Sequence, residues 1–223
     1  MKIFPSITTT GLAPFFSDWR EKIKKLKDFG IKEACFFPTC LEKKERKEAY
    51  SLFKKEKIKK IPFIHLKSDV DFQEIEYLVK NFKTEVFNIH SCFEYSPHIY
   101  DYAKSKYKDS IFIENVYQPL NEKEIKKFGG ICLDFTHLEN DRFLDHEKFL
   151  HNVKIIERYK IGCNHISAIT QKTRIDERGE KRYDRHFFKE LSELDYLKKY
   201  PKDYFYDFTA LELENNLQEQ LEA

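Results

Sequence analysis

Six short apolar runs in this chain end in a side chain that can hold a metal ion or a proton. They read Phe63-Ile64-His65, Asn88-Ile89-His90, Ile113-Glu114-Asn115, Leu133-Asp134-Phe135 with His137 beyond, Asn164-His165-Ile166, and Leu211-Glu212-Leu213-Glu214. Imidazoles and carboxylates are the donors that zinc, manganese and magnesium take. One histidine beside an apolar run is usually a satisfied core residue. Six runs in succession, each delivering a His, Asp or Glu at the same end, point to a shared site. Carboxylates gathered in a low-dielectric mouth repel one another, and a divalent cation relieves that repulsion. A metal centre is therefore expected.

Glu212 and Glu214 share strand parity, so both are able to face one interior. Glu214 lies nearer the strand end and is the expected ligand, with Glu212 one layer deeper. A further cluster, Arg182-Tyr183-Asp184-Arg185-His186, follows a polar stretch over 170–181. Asp184 and His186, two apart, suit one cation in an irregular loop. The alternative is that Asp184 caps the following helix. His98, His146 and His151 fall in or beside helical patterns and are read as surface residues.

The elements that must position these groups alternate along the chain. Strands are expected at 2–8, 33–38, 61–66, 85–90, 110–115, 130–135, 161–168 and 204–214. Several are continuously apolar, as parallel strands buried on both faces are. Between them, 18–29, 42–56, 71–82, 145–159 and 186–200 carry apolar residues at helical spacing. Gly30 and Gly129 stand where a helix should stop. The last helix, 216–223, is short. Eight strands alternating with helices predict a compact (β/α)₈ barrel, of the TIM-barrel class, with its chemistry at the C-terminal strand ends. An open doubly wound sheet is the alternative, but no Gly-x-Gly-x-x-Gly follows the first strand. No linker, repeat or low-complexity segment divides the 223 residues, so a single domain over 1–223 is expected.

Composition excludes other classes. A chain 41% hydrophobic and rich in aromatics can build a core, which argues against disorder. No run approaches the roughly 20 apolar residues of a membrane span. The first sixteen residues lack the apolar segment of a signal peptide. A cytoplasmic protein is the expectation. The five cysteines, Cys35, Cys40, Cys92, Cys132 and Cys163, are odd in number and contain no Cys-x-x-Cys. Neither a disulfide framework nor a zinc ribbon is indicated. Residues 1–130 carry a net charge of +6 and residues 131–223 a net −4. Lysine-rich helix faces such as Lys22-Ile23-Lys24-Lys25-Leu26-Lys27 account for the basic half as solvated surface, although such a half also suits a polyanion.

From His65 to Glu214 the pattern resembles the endonuclease IV family (AP endonuclease family 2), within the xylose-isomerase-like TIM barrels. That family ends strands three and four in His. Glu-Asn follows on strand five, Asp-x-x-His on strand six, His on strand seven, then Asp-Arg-His and a final Glu. This chain supplies His65, His90, Glu114-Asn115, Asp134-Phe135-Thr136-His137, His165, Asp184-Arg185-His186 and Glu214 in that order. It differs in its first strand, where Phe4-Pro5-Ser6-Ile7-Thr8 replaces a His-Val-Ser pattern. His65-Leu66-Lys67-Ser68-Asp69 lacks the tyrosine that the family places after its strand-three histidine.

The resemblance implies about three zinc ions. One would take His65, His90 and Glu114; a second Glu114, Asp134, His165 and Glu214; a third His137, Asp184 and His186. It implies a phosphodiester hydrolase of DNA repair that cleaves 5′ to abasic sites, leaving a 3′-hydroxyl and a 5′-deoxyribose phosphate. Glu114, Glu214 and His137 are the expected catalytic residues. Zinc supplies a nucleophile near neutral pH by lowering the pKa of water from 15.7 to about 7. Lys67, Lys172, Arg174, Arg182 and Arg185 are the candidates for substrate phosphate. The expected partner is abasic or damaged DNA, or else a small phosphodiester, with no membrane.

A second reading is a sugar or sugar-phosphate isomerase or epimerase. One Mn²⁺ or Mg²⁺ would lie among Glu114, Asp134, His165 and Glu214, with the two glutamates moving a proton beside a polarised carbonyl. It leaves His65, His90, Asp184 and His186 without a metal role. A third reading is a barrel that keeps the ligands only for structure or metal storage.

Overall fold

The computed structural model describes residues 2–9, 19–91, 99–176 and 179–223. Cys92 and His98, named above, lie outside the described residues. Nine parallel strands form one nearly closed, barrel-like sheet in the order β1-β11-β8-β7-β6-β5-β4-β3-β2. They are β1 (Ile3–Phe4), β2 (Ser6–Thr8), β3 (Cys35–Phe37), β4 (Phe63–His65), β5 (Val86–His90), β6 (Ile111–Glu114), β7 (Ile131–Asp134), β8 (Ile161–Ile166) and β11 (Thr209–Leu211). The two edge members, β1 and β2, are halves of one segment split at Pro5, which has no N–H to give a ladder. That covalent continuity brings the ends of the sheet together.

Helices α1 (Trp19–Leu26), α2 (Lys43–Lys55), α3 (Phe72–Phe82), α4 (Ile99–Tyr102), α5 (Glu122–Ile125), α6 (Phe135–Leu144), α7 (His146–Ile156) and α8 (Leu217–Glu222) complete the chain. Their apolar stripes follow the expected spacing: Ile23 and Leu26 of α1, and Ile75, Leu78 and Phe82 of α3, are buried. Local chemistry sets the helix ends. The Asp71 carboxylate accepts from Glu74 N, and Lys83 closes α3 in a left-handed conformation. Arg46 of α2 is fully buried and ties α2 to α3. Its guanidinium donates to both Glu74 oxygens at 2.7 and 2.9 Å and to Asp69 at 2.8 Å. Among the described residues no helix is long and apolar enough to cross a membrane.

Two expectations are corrected after β8. The stretch 170–181 is not a loop. It belongs to an antiparallel hairpin, β9 (Ala168–Ile175) with β10 (Lys181–Arg185). No α-helix spans 186–200; a 3₁₀ segment, Leu191–Lys199, stands there instead. Asp184 therefore lies within a strand rather than at a helix cap. The hairpin rests on α6, where the Asn140 side chain accepts from Tyr183 N at 2.7 Å and Phe143 meets the Tyr183 ring at 4.9 Å.

The sheet interior is layered by strand parity. Phe4, Phe37, Phe63, Val86 and Phe112 pack with the small residues Cys35, Cys132, Cys163 and Ala210 in a buried floor. The cysteines there are free thiols, and burial raises those of Cys35, Cys132 and Cys163. Gly162 is required: a Cβ there would lie 1.9 Å from the Phe112 ring. Two residues further along each strand the floor gives way to polar side chains. Phe63 leads to His65, Val86 to Asn88, Phe112 to Glu114, Cys132 to Asp134, Cys163 to His165 and Ala210 to Glu212. Side chains two apart share a face, so this step builds a polar layer directly above the apolar floor.

Candidate metal centre

Three groups of ligand atoms converge in that polar layer, each within 4.8 Å of one another: His65, Glu114 and His165; Glu114, Asp134 and His137; Asp134, His165 and Glu212. All six residues are buried or nearly so. His165 and Asp134 are completely inaccessible, and His137 keeps 11% of its side-chain exposure. Glu114 belongs to two groups. Its Oε2 stands 3.5 Å from His65 Nδ1 and 3.8 Å from His165 Nδ1, and its Oε1 stands 3.6 Å from His137 Nε2.

The backbone fixes Asp134 before any ligand arrives. It caps α6, with Oδ1 accepting from Thr136 N and His137 N, both at 2.7 Å. Its Oδ2 is left buried without a hydrogen-bond partner, as are both ring nitrogens of His165. Buried polar atoms are nearly always paired, because an unpaired one costs about 1–3 kcal/mol. Here the unpaired atoms belong to residues of the same groups, 3.6 Å apart at His165 Nδ1 and Asp134 Oδ2. They are oxygen and imidazole donors in a tight cluster, so these residues fit a divalent cation.

Burial opposes protonation of His137 and His165, but their acidic neighbours outweigh it, raising His137 to about 8 and His165 above its ordinary value, so a cation would displace a proton from each. Burial pushes the Glu114 carboxyl up to about 7, with His165 and His137 partly offsetting it. Burial, reinforced by the neighbouring histidines, holds His65 well below its ordinary value, so its ring is neutral and keeps a lone pair for a metal. Burial also opposes ionisation of Glu212, but His186 and His165 outweigh it and hold the carboxyl low.

The expected ligands are placed as follows. His65, Glu114, Asp134, His137 and His165 come together. Glu212, not Glu214, completes the layer: its Oε2 lies 3.3 Å from His165 Nδ1. The last strand ends at Leu211, which puts Glu212 at the rim rather than below it. Glu214 is buried beside Lys22, outside every converging group. The parity signal was available in the sequence: Ala210 is the small floor residue, and Glu212 follows it as His165 follows Cys163. Asn88 was also missed. Its amide donates to Glu114 Oε2 at 2.5 Å.

His90 is half-buried on the cavity wall, its Nε2 3.9 Å from Glu114 Oε2 and its ring against that of His65 at 4.7 Å. His137, Asp184 and His186 do not form a converging group. Both Asp184 oxygens accept from Arg182, at 2.8 and 2.9 Å, and Arg182 Nη2 stands 2.7 Å from His137 Nδ1. The guanidinium thus contacts both His137 and Asp184, which themselves stand 3.4 Å apart at Nδ1 and Oδ2. His186 turns instead to Glu212, 3.8 Å away. These residues do not fit a third cation in this arrangement.

The cluster opens into a cavity of about 200 Å³, lined above the ligands by Thr39, Cys40, Tyr117, Arg174 and Arg182. Of the phosphate candidates, Arg174 and Arg182 reach it and the other three do not. Lys67 is held by Glu42 and the Leu41 carbonyl, Arg185 by Glu193, and Lys172 is exposed on the hairpin. His146 and His151 are exposed, as expected. Compared with known proteins, the chain matches no family model and no curated protein.

Proposed function

We propose that this chain is a divalent-metal-dependent hydrolase of phosphodiesters, built on a compact (β/α)₈ barrel of the xylose-isomerase-like class and working in the cytoplasm. The observation that carries this reading is the set of partnerless buried atoms, both His165 nitrogens and Asp134 Oδ2, enclosed by Glu114 and Glu212. The ordered series of His, Glu, Asp and His along the strands, with its resemblance to endonuclease IV, supports phosphoester chemistry. Abasic DNA is the substrate that the resemblance suggests, and a small phosphodiester is the other.

His65, Glu114, Asp134, His137, His165 and Glu212 would hold two ions, with Glu114 common to both. Bound zinc or manganese would supply Lewis-acid stabilisation of phosphate charge and a nucleophile at neutral pH. The protein's own part is to hold the donors still. Asp134 is locked by its cap, Glu114 by Asn88, and the Phe37 and Phe63 rings wall His165 at 4.9 and 5.2 Å. His137 turns Nε2 to Glu114 and Asp134; binding an ion there would need the ring proton on Nδ1, with Asp184 Oδ2, 3.4 Å away, as its acceptor in place of the Arg182 contact.

A second reading has one specific observation in its favour. Asp134, His165 and Glu212 converge by themselves, with Glu114 Oε2 3.8 Å from His165 Nδ1, and this set would hold a single Mn²⁺ or Mg²⁺, as a sugar or sugar-phosphate isomerase would use. Elemental mass spectrometry of untagged protein purified without chelator separates the two. Two zinc or manganese equivalents with chelator-sensitive cleavage of bis(p-nitrophenyl) phosphate support the hydrolase. One equivalent and no cleavage favours the isomerase.

A further inference from the structure

Arg174 and Arg182 are direct cross-strand partners in the β9–β10 hairpin, and both line the cavity above the metal ligands. Like charges opposite one another in an antiparallel pair are destabilising, so this placement needs a compensating anion. Arg182 has one. The Asp184 carboxylate accepts from it through two bonds, and the pair is buried. Arg185 of the same hairpin has Glu193. Arg174 is different. Among the described residues its only hydrogen bond runs from Nε to the backbone carbonyl of Asp184, at 2.8 Å. That bond fixes the plane of the guanidinium, and no carboxylate among the described residues meets its two outer nitrogens. The remaining acid of the cavity wall, Asp176, has its Oδ1 bonded to Glu180 N in the hairpin turn.

We propose that Arg174 is the anion-recognition residue of this site, and that it takes the phosphate of a small phosphorylated substrate lying between the hairpin and the metal ligands. A planar, pre-oriented guanidinium matches two phosphate oxygens at once. The cavity volume, about 200 Å³, suits a metabolite-sized molecule; sites for drug-sized ligands run from about 300 to 1,000 Å³. Tyr117 stands on the same wall with φ of 45°, a backbone state rare for tyrosine, and its ring meets His90 at 5.6 Å. It is positioned to pack against the organic part of such a substrate. The assignment rests on the metal-centre reading for its second wall, because the phosphate would face the ligand cluster.

The test titrates inorganic phosphate calorimetrically into metal-loaded wild type, Arg174→Ala and Arg174→Lys, with metal content measured on the same samples. The expected result is unchanged metal content, phosphate affinity at least tenfold weaker in Arg174→Ala, and partial recovery in Arg174→Lys. Full metal content with unchanged phosphate affinity in Arg174→Ala overturns the assignment and leaves the metal centre standing. A wild type that binds no metal, but loses phosphate affinity on the same substitution, overturns the metal reading and leaves Arg174 standing. A competition arm distinguishes the source of the phosphate. Dimethyl phosphate, a small phosphodiester, is expected to displace inorganic phosphate, and a short abasic duplex is not. Displacement by the duplex at micromolar concentration, with a steep salt dependence, overturns the small-substrate assignment.

Discussion

Asn88 holds Glu114 against His65: one amide nitrogen lies 2.5 Å from Glu114 Oε2 and 3.0 Å from His65 Nδ1. The three residues come from adjacent strands, with Asn88 in register beside His65. Groups that orient metal ligands typically contribute 10–100-fold in metal affinity. Asn88→Leu should therefore weaken zinc binding about 10–100-fold while far-UV circular dichroism stays unchanged. Zinc titration with a chromophoric competitor measures it, and wild-type affinity would remove Asn88 from the site.

Glu212 and Glu214 make opposite predictions. Glu212→Gln should lower metal occupancy, because Glu212 stands with His165 and Asp134. Glu214→Gln should leave occupancy at the wild-type level, since that carboxylate lies beside Lys22. Elemental analysis of both variants decides it, and loss of metal in Glu214→Gln alone would restore the order expected from the sequence.

Metal removal should destabilise the fold. Without a cation, Glu114, Asp134 and Glu212 share one buried volume with only histidines to balance them. A ligand at about 1,000 times its Kd contributes roughly 4 kcal/mol, which for a chain of this size is on the order of 10 °C in Tm. Calorimetry before and after dialysis against a strong chelator should show such a drop, reversed by added zinc. An unchanged Tm argues against a resident metal.

Lys22 predicts a pH dependence of stability. Burial lowers its pKa from 10.5 to about 8, against the opposing pull of Glu214 and Glu219. Its folded pKa lies below its unfolded one, so between about pH 8 and 10.5 the unfolded chain binds the extra proton. Stability contributed by this residue therefore rises with pH across that window, and the penalty is complete below it. At about 1.36 kcal/mol per pKa unit, the full rise is about 3 kcal/mol. Urea unfolding of wild type and Lys22→Met should diverge by that order between pH 7.5 and 10; parallel curves would refute it.

Arg46 is a structural counterpart. Arg46→Met leaves Glu74 buried without its bidentate partner, with the Tyr50 hydroxyl still donating to it. Removing one member of a buried pair typically costs about 3–5 kcal/mol. Denaturant unfolding should show that loss with metal content unchanged.

The alternating fold and four of the six clustered residues were legible because they depend on period-two parity in short apolar strands; a fifth, His137, came from its Asp-x-x-His spacing and lies in the first turn of α6. His65, Glu114, Asp134 and His165 each follow a floor residue by two. The Glu212 assignment failed because the strand end was set too late: the apolar pattern runs on through Leu213, whereas pairing stops at Leu211. The hairpin escaped because Lys172, Arg174, Lys181 and Arg182 read as a solvated loop. Its strands bury little and are held by backbone pairing and by contacts with α6, which no local pattern announces. The role of Arg182 was hidden for the same reason, since its distance to His137 is set by that hairpin.

The seam of the sheet has a consequence for synthesis of the chain. β1 meets β11 at only two register positions, Ile3 with Thr209 and Phe4 with Ala210. The Gln220 side chain of α8 then fastens the join, accepting from Ser6 N at 2.8 Å and donating to the Ser6, Leu213 and Asn215 carbonyls. Both sides of the seam are needed at once, and Ser6 and Gln220 stand 214 positions apart in the chain. During translation the ring stays unclosed until β11 and α8 have both been made. Until then β2 and β8 present bare edges to other nascent chains. A ribosome stalled before β11 would therefore hold an open sheet that invites chaperone capture, and α8 would act as the latch.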